Sequence, residues 1–331
     1  MENITIGKFG FSLKPLEPII LPAYKGSTLR GGFGHAFKRV VCALKKNDCA
    51  ECILKEKCVY SYVFETPPPS DTTIMRKYTS VPHPFIIEPP LETKRIYKPG
   101  SNIEFGLTLI GRAADYLPYF IYSFSELGNI GIGKGKGKFA LQTVKSLELG
   151  SGSEKQTIYS SGTKTLAPFH TSSLAISFNS HQPPLKIRGG AESGGVMSLT
   201  LSFLTPTRII YDKRLTLDLE FHMLIRQLLR RIALLSYFHC GIDTLDWDFN
   251  GIIEKAKDVK VTSRNLKWHD WDRYSARQDT KMKMGGFMGS ITFEGNLKPF
   301  MPLIKAGEVL HVGKGTGFGL GKYGIVKDVS E

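Results

Sequence analysis

His35 lies in the run Gly31-Gly-Phe-Gly-His-Ala-Phe-Lys-Arg39, where helical spacing sets it beside Lys38 and Arg39 and away from Phe33 and Phe37. An imidazole among cations near a helix start has the parts for cutting RNA without a metal. It takes the proton of a ribose 2′-hydroxyl, the oxygen attacks the adjacent phosphorus, and the cations stabilise the dianionic transition state. Tyr24, just ahead of the helix in Leu21-Pro-Ala-Tyr-Lys-Gly-Ser-Thr28, is a candidate proton donor or phosphate ligand, and Lys38 a candidate charge stabiliser. His311, which leads into a glycine-rich loop beside Lys314, is the alternative base. A histidine simply solvated on a helix face fits the same spacing.

Two glycine-dense stretches, Gly128-Asn-Ile-Gly-Ile-Gly-Lys-Gly-Lys-Gly-Lys138 and Gly313-Lys-Gly-Thr-Gly-Phe-Gly-Leu-Gly-Lys322, occupy equivalent places in the two halves of the chain. Neither holds a G-x-G-x-x-G fingerprint, and the first fails the P-loop pattern where Gly135 replaces the required Ser or Thr. Both follow a helix and precede a strand, the reverse of nucleotide-binding order. They read instead as phosphodiester-facing loops carrying Lys134, Lys136, Lys138, Lys314 and Lys322, or as tight turns against a neighbouring element. Arg30, Arg39, and the helical stripe of His222, Arg226 and Arg230 are further candidates for RNA contact. So are Arg277 and Lys283, in a stretch where Trp268 and Trp271 either stack bases or join the core.

Cys42, Cys49, Cys52 and Cys58 follow the spacing Cys-x6-Cys-x2-Cys-x5-Cys. Four thiols within so short a segment point to a structural zinc site, with an iron–sulfur cluster or free thiols as alternatives. Four thiolates leave no open position for a substrate, so such a site would be structural, and no cofactor is expected for the catalysis considered above. Cys240 stands apart and reads as a core residue.

The elements that must position these groups can be read from periodicity. Ile4 to Leu13 alternates as a strand. A helix capped by Ser27 or Thr28 buries Leu29, Phe33, Phe37, Val40 and Leu44. Strand Ile103–Leu109, a short helix over 115–127 and strand Phe139–Leu149 follow. The second half repeats the order: Met197–Phe203, a long helix over 218–239 burying Phe221, Leu224, Leu228, Ile232 and Leu235, strand 290–293, helix 298–306 and strand 323–329. This predicts an α+β protein of two tandem ferredoxin-like, RRM-like βαββαβ domains. The boundaries are 1–150, with the cysteine cluster inserted at 42–58, a linker or long loops over 151–195, and 196–331.

The 331 residues carry 44 Lys and Arg against 30 Asp and Glu, a formal charge of +14, which favours a polyanionic partner. No apolar run approaches the ~20 residues of a membrane span, and the N-terminus lacks a signal-peptide core, so a cytoplasmic protein without a membrane partner is expected.

Taken together, several motifs resemble the CRISPR repeat-processing endoribonucleases of the RAMP superfamily. They are Gly26-Ser-Thr-Leu-Arg-Gly-Gly-Phe-Gly-His-Ala-Phe-Lys38, the cysteine cluster leading to Tyr62-Val-Phe-Glu-Thr-Pro67, Phe203-Leu-Thr-Pro-Thr-Arg208, Arg273-Tyr-Ser-Ala-Arg-Gln278 and His311-Val-Gly-Lys-Gly-Thr-Gly-Phe-Gly-Leu-Gly-Lys-Tyr323. The resemblance implies tandem ferredoxin-like domains that bind the repeat of precursor CRISPR RNA and cut it once without metal. The products would be 2′,3′-cyclic phosphate and 5′-hydroxyl ends, and CRISPR effector subunits are implied as further partners. It also implies a histidine on the first helix as base, matching His35, with Tyr and Lys assistants that vary between members. Some relatives have lost that histidine and only bind RNA. A non-catalytic RNA-binding subunit is thus the alternative, and a zinc-dependent enzyme using the cysteines a third reading.

Overall fold

Phe9, Phe11 and Leu13 are buried while Lys8 and Ser12 between and beside them reach solvent, so this part of the first strand carries its apolar set on the face that meets the helices, and Ile4 and Ile6, also buried, lie at the other parity on the opposite face. The computed structural model describes residues 2–45, 48–70, 72, 80–150, 153–176, 197–244, 247–275 and 280–326. Two compact units are formed, one by Ile4–Ser173 with Leu234–Gly241, the other by Met1–Asn3, Leu174–Ala233 and Ile242–Glu331.

In the first unit the chain runs β1 (Glu2–Pro15), β2 (Ile19–Ile20), α1 (Gly26–Val41), β3 (Phe85–Glu88), β4 (Ile96–Tyr97), β5 (Ile103–Ile110), α2 (Leu117–Ile130), β6 (Phe139–Leu147) and β7 (Glu154–Ser160), and β8 (Ser172–Ile176) follows. The main sheet has the order β3-β5-β1-β6-β7 with antiparallel neighbours. Counting the strands around α1 and α2 as one to four, that order is 2-3-1-4, the ferredoxin-like arrangement the sequence predicts. Phe9 pairs with Leu107 and Phe11 with Phe105, so the aromatic face of β1 continues across the sheet toward the helices.

The other unit repeats the plan with β9 (Met197–Thr207), the short hairpin β10 (Ile210–Tyr211) and β11 (Arg214–Leu215), α3 (Phe221–Cys240) and α4 (Phe249–Ala256). Then come β12 (Lys260–His269), β13 (Asp272–Ser275), β14 (Thr280–Lys283), β15 (Gly286–Gly295), α5 (Met301–Leu310) and β16 (Tyr323–Val326). Its four-stranded sheet has the order β12-β15-β9-β16, again 2-3-1-4. Phe221, Leu224, Leu228, Ile232 and Leu235 are all buried, as the stripe on α3 requires. No helix among the described residues is long and apolar enough to cross a membrane.

Several local expectations change. β7 pairs with β6, so residues 154–160 extend the first sheet instead of belonging to a linker, and 177–196 lie outside the described residues. Neither Ser27 nor Thr28 caps α1; the N-cap is Lys25, which makes no side-chain cap. Its buried ammonium donates instead to the Ala23 and Glu92 carbonyls. Gly128 lies inside α2, not in a loop.

The glycine stretches are mostly occupied by neighbouring backbone. A Cβ on Gly321, whose φ is +73°, would collide with the Val312 carbonyl, whereas Gly135 faces open space. Gly321→Ala should therefore cost about 2–4 kcal/mol through left-handed strain and overpacking. Gly135→Ala should cost about 1 kcal/mol, the backbone term alone. Thermal melts of the two variants check this; equal melting temperatures would show that the second loop is not closed by backbone packing.

Candidate functional site

The direction of every side chain on α1 follows from where its apolar stripe goes. Phe33 stacks on Phe120 (ring centroids 4.8 Å apart) and Phe124 (5.1 Å), and Phe37 packs beside it. Gly34 faces the Phe64 ring so closely that a Cβ would overlap it. Gly32, against Leu127, and Gly34 thus serve close packing, whereas a Cβ on Gly31 would meet open space; each costs about 1 kcal/mol in helix propensity. With that face inward, His35 is exposed, and so is Arg39 one turn later. This is the face that α1 presents to solvent.

Lys38 takes a different direction. Its Nζ lies 5.4 Å from the centre of the Tyr60 ring and hydrogen-bonds the Cys49 sulfur. Burial pushes the Cys49 thiol up, and Lys38 opposes that rise. Tyr24 is half-buried, and burial holds its phenol far above its ordinary value, so it keeps its proton and acts only as a neutral hydroxyl.

Arg30, expected on an RNA-binding surface, is buried instead. Its guanidinium stacks over Phe64 at 4.5 Å and donates through Nη2 to His83 Nε2 at 2.7 Å. That leaves His83 Nδ1 as the donor to Thr66 Oγ1 (3.2 Å), whose hydroxyl donates to the Val81 carbonyl (2.8 Å). A cation on the apolar side of a helix is the signal in the sequence that this arginine has an internal partner. His311 is also interior: fully buried, it bonds the Leu320 carbonyl through Nδ1 at 3.1 Å. Its imidazole braces the second glycine loop, and a ribose hydroxyl in solvent does not reach it.

Lys134, Lys136 and Lys138 are all exposed along the first glycine loop, and Lys314 is exposed and Lys322 half-buried in the second. Arg226 and Arg230 face solvent on α3, while Arg231 is buried and donates from Nε to the Leu310 carbonyl at 2.6 Å. Lys283 lies in β14, and Arg277 lies outside the described residues. Trp268 is part-exposed on β12 and donates to Asp270.

Sequence reasoning missed a polar cluster around Tyr62. His239 accepts from the Tyr62 hydroxyl at Nδ1 (3.2 Å) and donates to the Pro82 carbonyl at Nε2 (2.8 Å), and Arg112 covers the Tyr62 ring at 4.3 Å. Burial pushes the Tyr62 phenol up to about 12, against the pull of Arg112. These residues are far apart in sequence and carry no common spacing.

The four clustered cysteines are free thiols that line one hollow, the place in this chain with the donor set for a soft metal. Among the described residues no three His, Cys, Asp or Glu side chains stand gathered around a single ion position.

Comparison with known proteins places this geometry. Residues 4–171 match a family model of an N-terminal domain (AF_1859_N), and residues 201–323 match the model for CRISPR-associated endoribonuclease Cas6. An uncharacterized protein of Archaeoglobus fulgidus is 26% identical over 112 residues, 34% of this chain and little more than a third (37%) of that protein. Among solved structures, a Cas6 product complex superposes with a TM-score of 0.55 at 16% identity, over 97% of this chain and 99% of that one. Cas6 of Thermus thermophilus gives 0.53 at 16% identity, over 98% and 99%. A partial Cas6-RT-Cas1–Cas2 complex gives 0.55 at 12% identity, covering 99% of this chain but 47% of that one. At such identities the shared property is the fold. With its model matched over half of the length, the chain belongs to the family of the AF_1859_N N-terminal domain, while its residues 201–323 match the Cas6 endoribonuclease model and its fold along nearly the whole length is that of the solved Cas6 structures.

Proposed function

We propose that this protein cuts the repeat of precursor CRISPR RNA once, without a metal, by attack of a 2′-hydroxyl on its neighbouring phosphate. His35 takes the 2′-hydroxyl proton, the O2′–P bond forms and the P–O5′ bond breaks, and the departing O5′ takes up a proton. The ends are a 2′,3′-cyclic phosphate and a 5′-hydroxyl. The observation that carries this reading is the exposed imidazole of His35, with Arg39 one turn away, on a helix locked by its phenylalanines. The exposed Lys134, Lys136 and Lys138 would hold the RNA backbone. CRISPR effector subunits are the further partners this role implies, and the cytoplasm its place. Any metal held by the four thiolates would be structural and outside the reaction.

One observation favours a second reading, a non-catalytic RNA-binding subunit. Lys38 is engaged by the Tyr60 ring and lies by Cys49, and Tyr24 is half-buried with its phenol held protonated, so both expected assistants have surroundings within the fold.

Labelled repeat RNA incubated in EDTA should give one cut, and a 2′-deoxy substitution at the scissile nucleotide should abolish it. Cleavage of the deoxy substrate would rule out the mechanism, while tight binding with no product would establish the second reading. His35→Ala should lower the single-turnover rate by about 100- to 10,000-fold with RNA affinity retained; near-normal cutting would remove His35 from the role of base.

Replacing Lys134, Lys136 and Lys138 together by Ala should weaken binding and reduce the slope of log affinity against log salt by about 2, near 0.7 per lost phosphate contact on single-stranded RNA. An unchanged slope in filter-binding titrations would take this loop off the RNA.

A further inference from the structure

Among the described residues between Cys42 and Cys58, Cys49 packs against the core, but regular structure is limited to one 3-10 turn, Lys55–Lys57, with no buried residue, and Leu44, Ile53 and Leu54 are exposed, Ile53 at 87%. Ordering a backbone costs about 1–2 kcal/mol per residue, and apolar burial this sparse does not offset it. Such a segment needs a covalent or metal tie.

The walls of one hollow supply the donors. Cys42, Cys49, Cys52 and Cys58 all line one small hollow, with Lys55, Asp48 and Tyr60 beside them. A divalent ion in four thiolates carries a net charge of about −2, which needs nearby cations. Lys38 lies by Cys49 and Lys55 lines the same hollow, two cations beside the carboxylates of Asp48, in its lining, and Glu65, which also acts on Cys49. Because the sulfurs are not gathered at one ion position, binding would draw them inward, which the loose turns of the segment permit.

We propose that Cys42, Cys49, Cys52 and Cys58 form a tetrathiolate metal centre, with zinc as its occupant, that fastens this segment to the end of α1. Cys42 is the C-cap of α1, and its N–H donates to the Lys38 carbonyl at 3.0 Å, so the centre is bonded directly to the helix that carries His35. Metal occupancy thereby fixes the last turn of that helix and the position of the Lys38 ammonium.

Elemental analysis of the full chain purified under reducing conditions should find about one zinc per chain, and Cys49→Ser with Cys52→Ser less than about a tenth of that. In the unmodified protein, cobalt(II) should give sulfur-to-metal charge-transfer absorption, a readout that does not depend on the variant folding. Removing the metal with a mercurial should lower the melting temperature by about 5 °C or more. Iron with inorganic sulfide in place of zinc would keep the thiolate centre and overturn its occupant. Absence of both metals after reconstitution with zinc, or with iron and sulfide, together with four freely reactive thiols in the native protein, would overturn the centre itself. Cleavage in EDTA and metal content are separate readings, so either proposal can fail alone.

Discussion

The rotation of α1 about its own axis is the constraint from which the candidate site follows. Phe33 lies against Phe120, Phe124 and Phe85, and Phe37 against Phe120 and Tyr60, so these two side chains leave one allowed orientation. At 3.6 residues per turn, fixing them fixes all the others. His35 turns to solvent, Lys38 toward the hollow of the cysteine segment, and Arg30 into the aromatic pocket of Phe64 and Phe85. Three basic or titratable residues within nine positions thus end in three environments, and packing alone separates them.

The same economy governs the cations. A surplus of +14 invites the reading that every Lys and Arg belongs to a polyanion-binding surface. Lys25, Arg30 and Arg231 instead lie inside, where each meets fixed acceptors: carbonyls for Lys25 and Arg231, an imidazole for Arg30. Burial lowers the Arg231 guanidinium to about 9, a sign of how costly its charge is there, and the Leu310 carbonyl at the end of α5 offsets part of that cost. Such cations tie elements together, and the exposed lysines of the glycine loops are left to set the outer field.

Element order was legible because periodicity is local. The α3 stripe and the two 2-3-1-4 sheets needed no knowledge of distant residues beyond the repeat itself. β12 escaped notice because Lys260, Ser263, Arg264 and Asn265 give it little apolar alternation; its partner β15 and the sheet impose the extended form. The direction of Lys38 depends on the path of a segment without regular periodicity, and the burial of Arg30 depends on His83, 53 positions away. Glycines misled for a related reason. A run without Cβ atoms allows approach by any group, and only the fold decides whether that group is a phosphate or, as at Gly321, a carbonyl of the same chain.

Histidine environments show why the proposed base is the one on α1. His83, His239 and His311 are each bonded within the fold, His83 and His239 through both ring nitrogens. His222 is half-buried against Tyr211, and burial lowers its affinity for a proton. His35, His170 and His269 are exposed among the described residues. A general base must also be held in a fixed position, since an error of about 1 Å in placement costs on the order of 100-fold in rate. His170 lies in irregular chain and His269 at the last residue of a strand, whereas His35 sits mid-helix between Gly34 against Phe64 and Phe37 in the aromatic core. Exposure and rigidity, which usually oppose one another, meet at that residue because the packing that immobilises the helix lies on its opposite face.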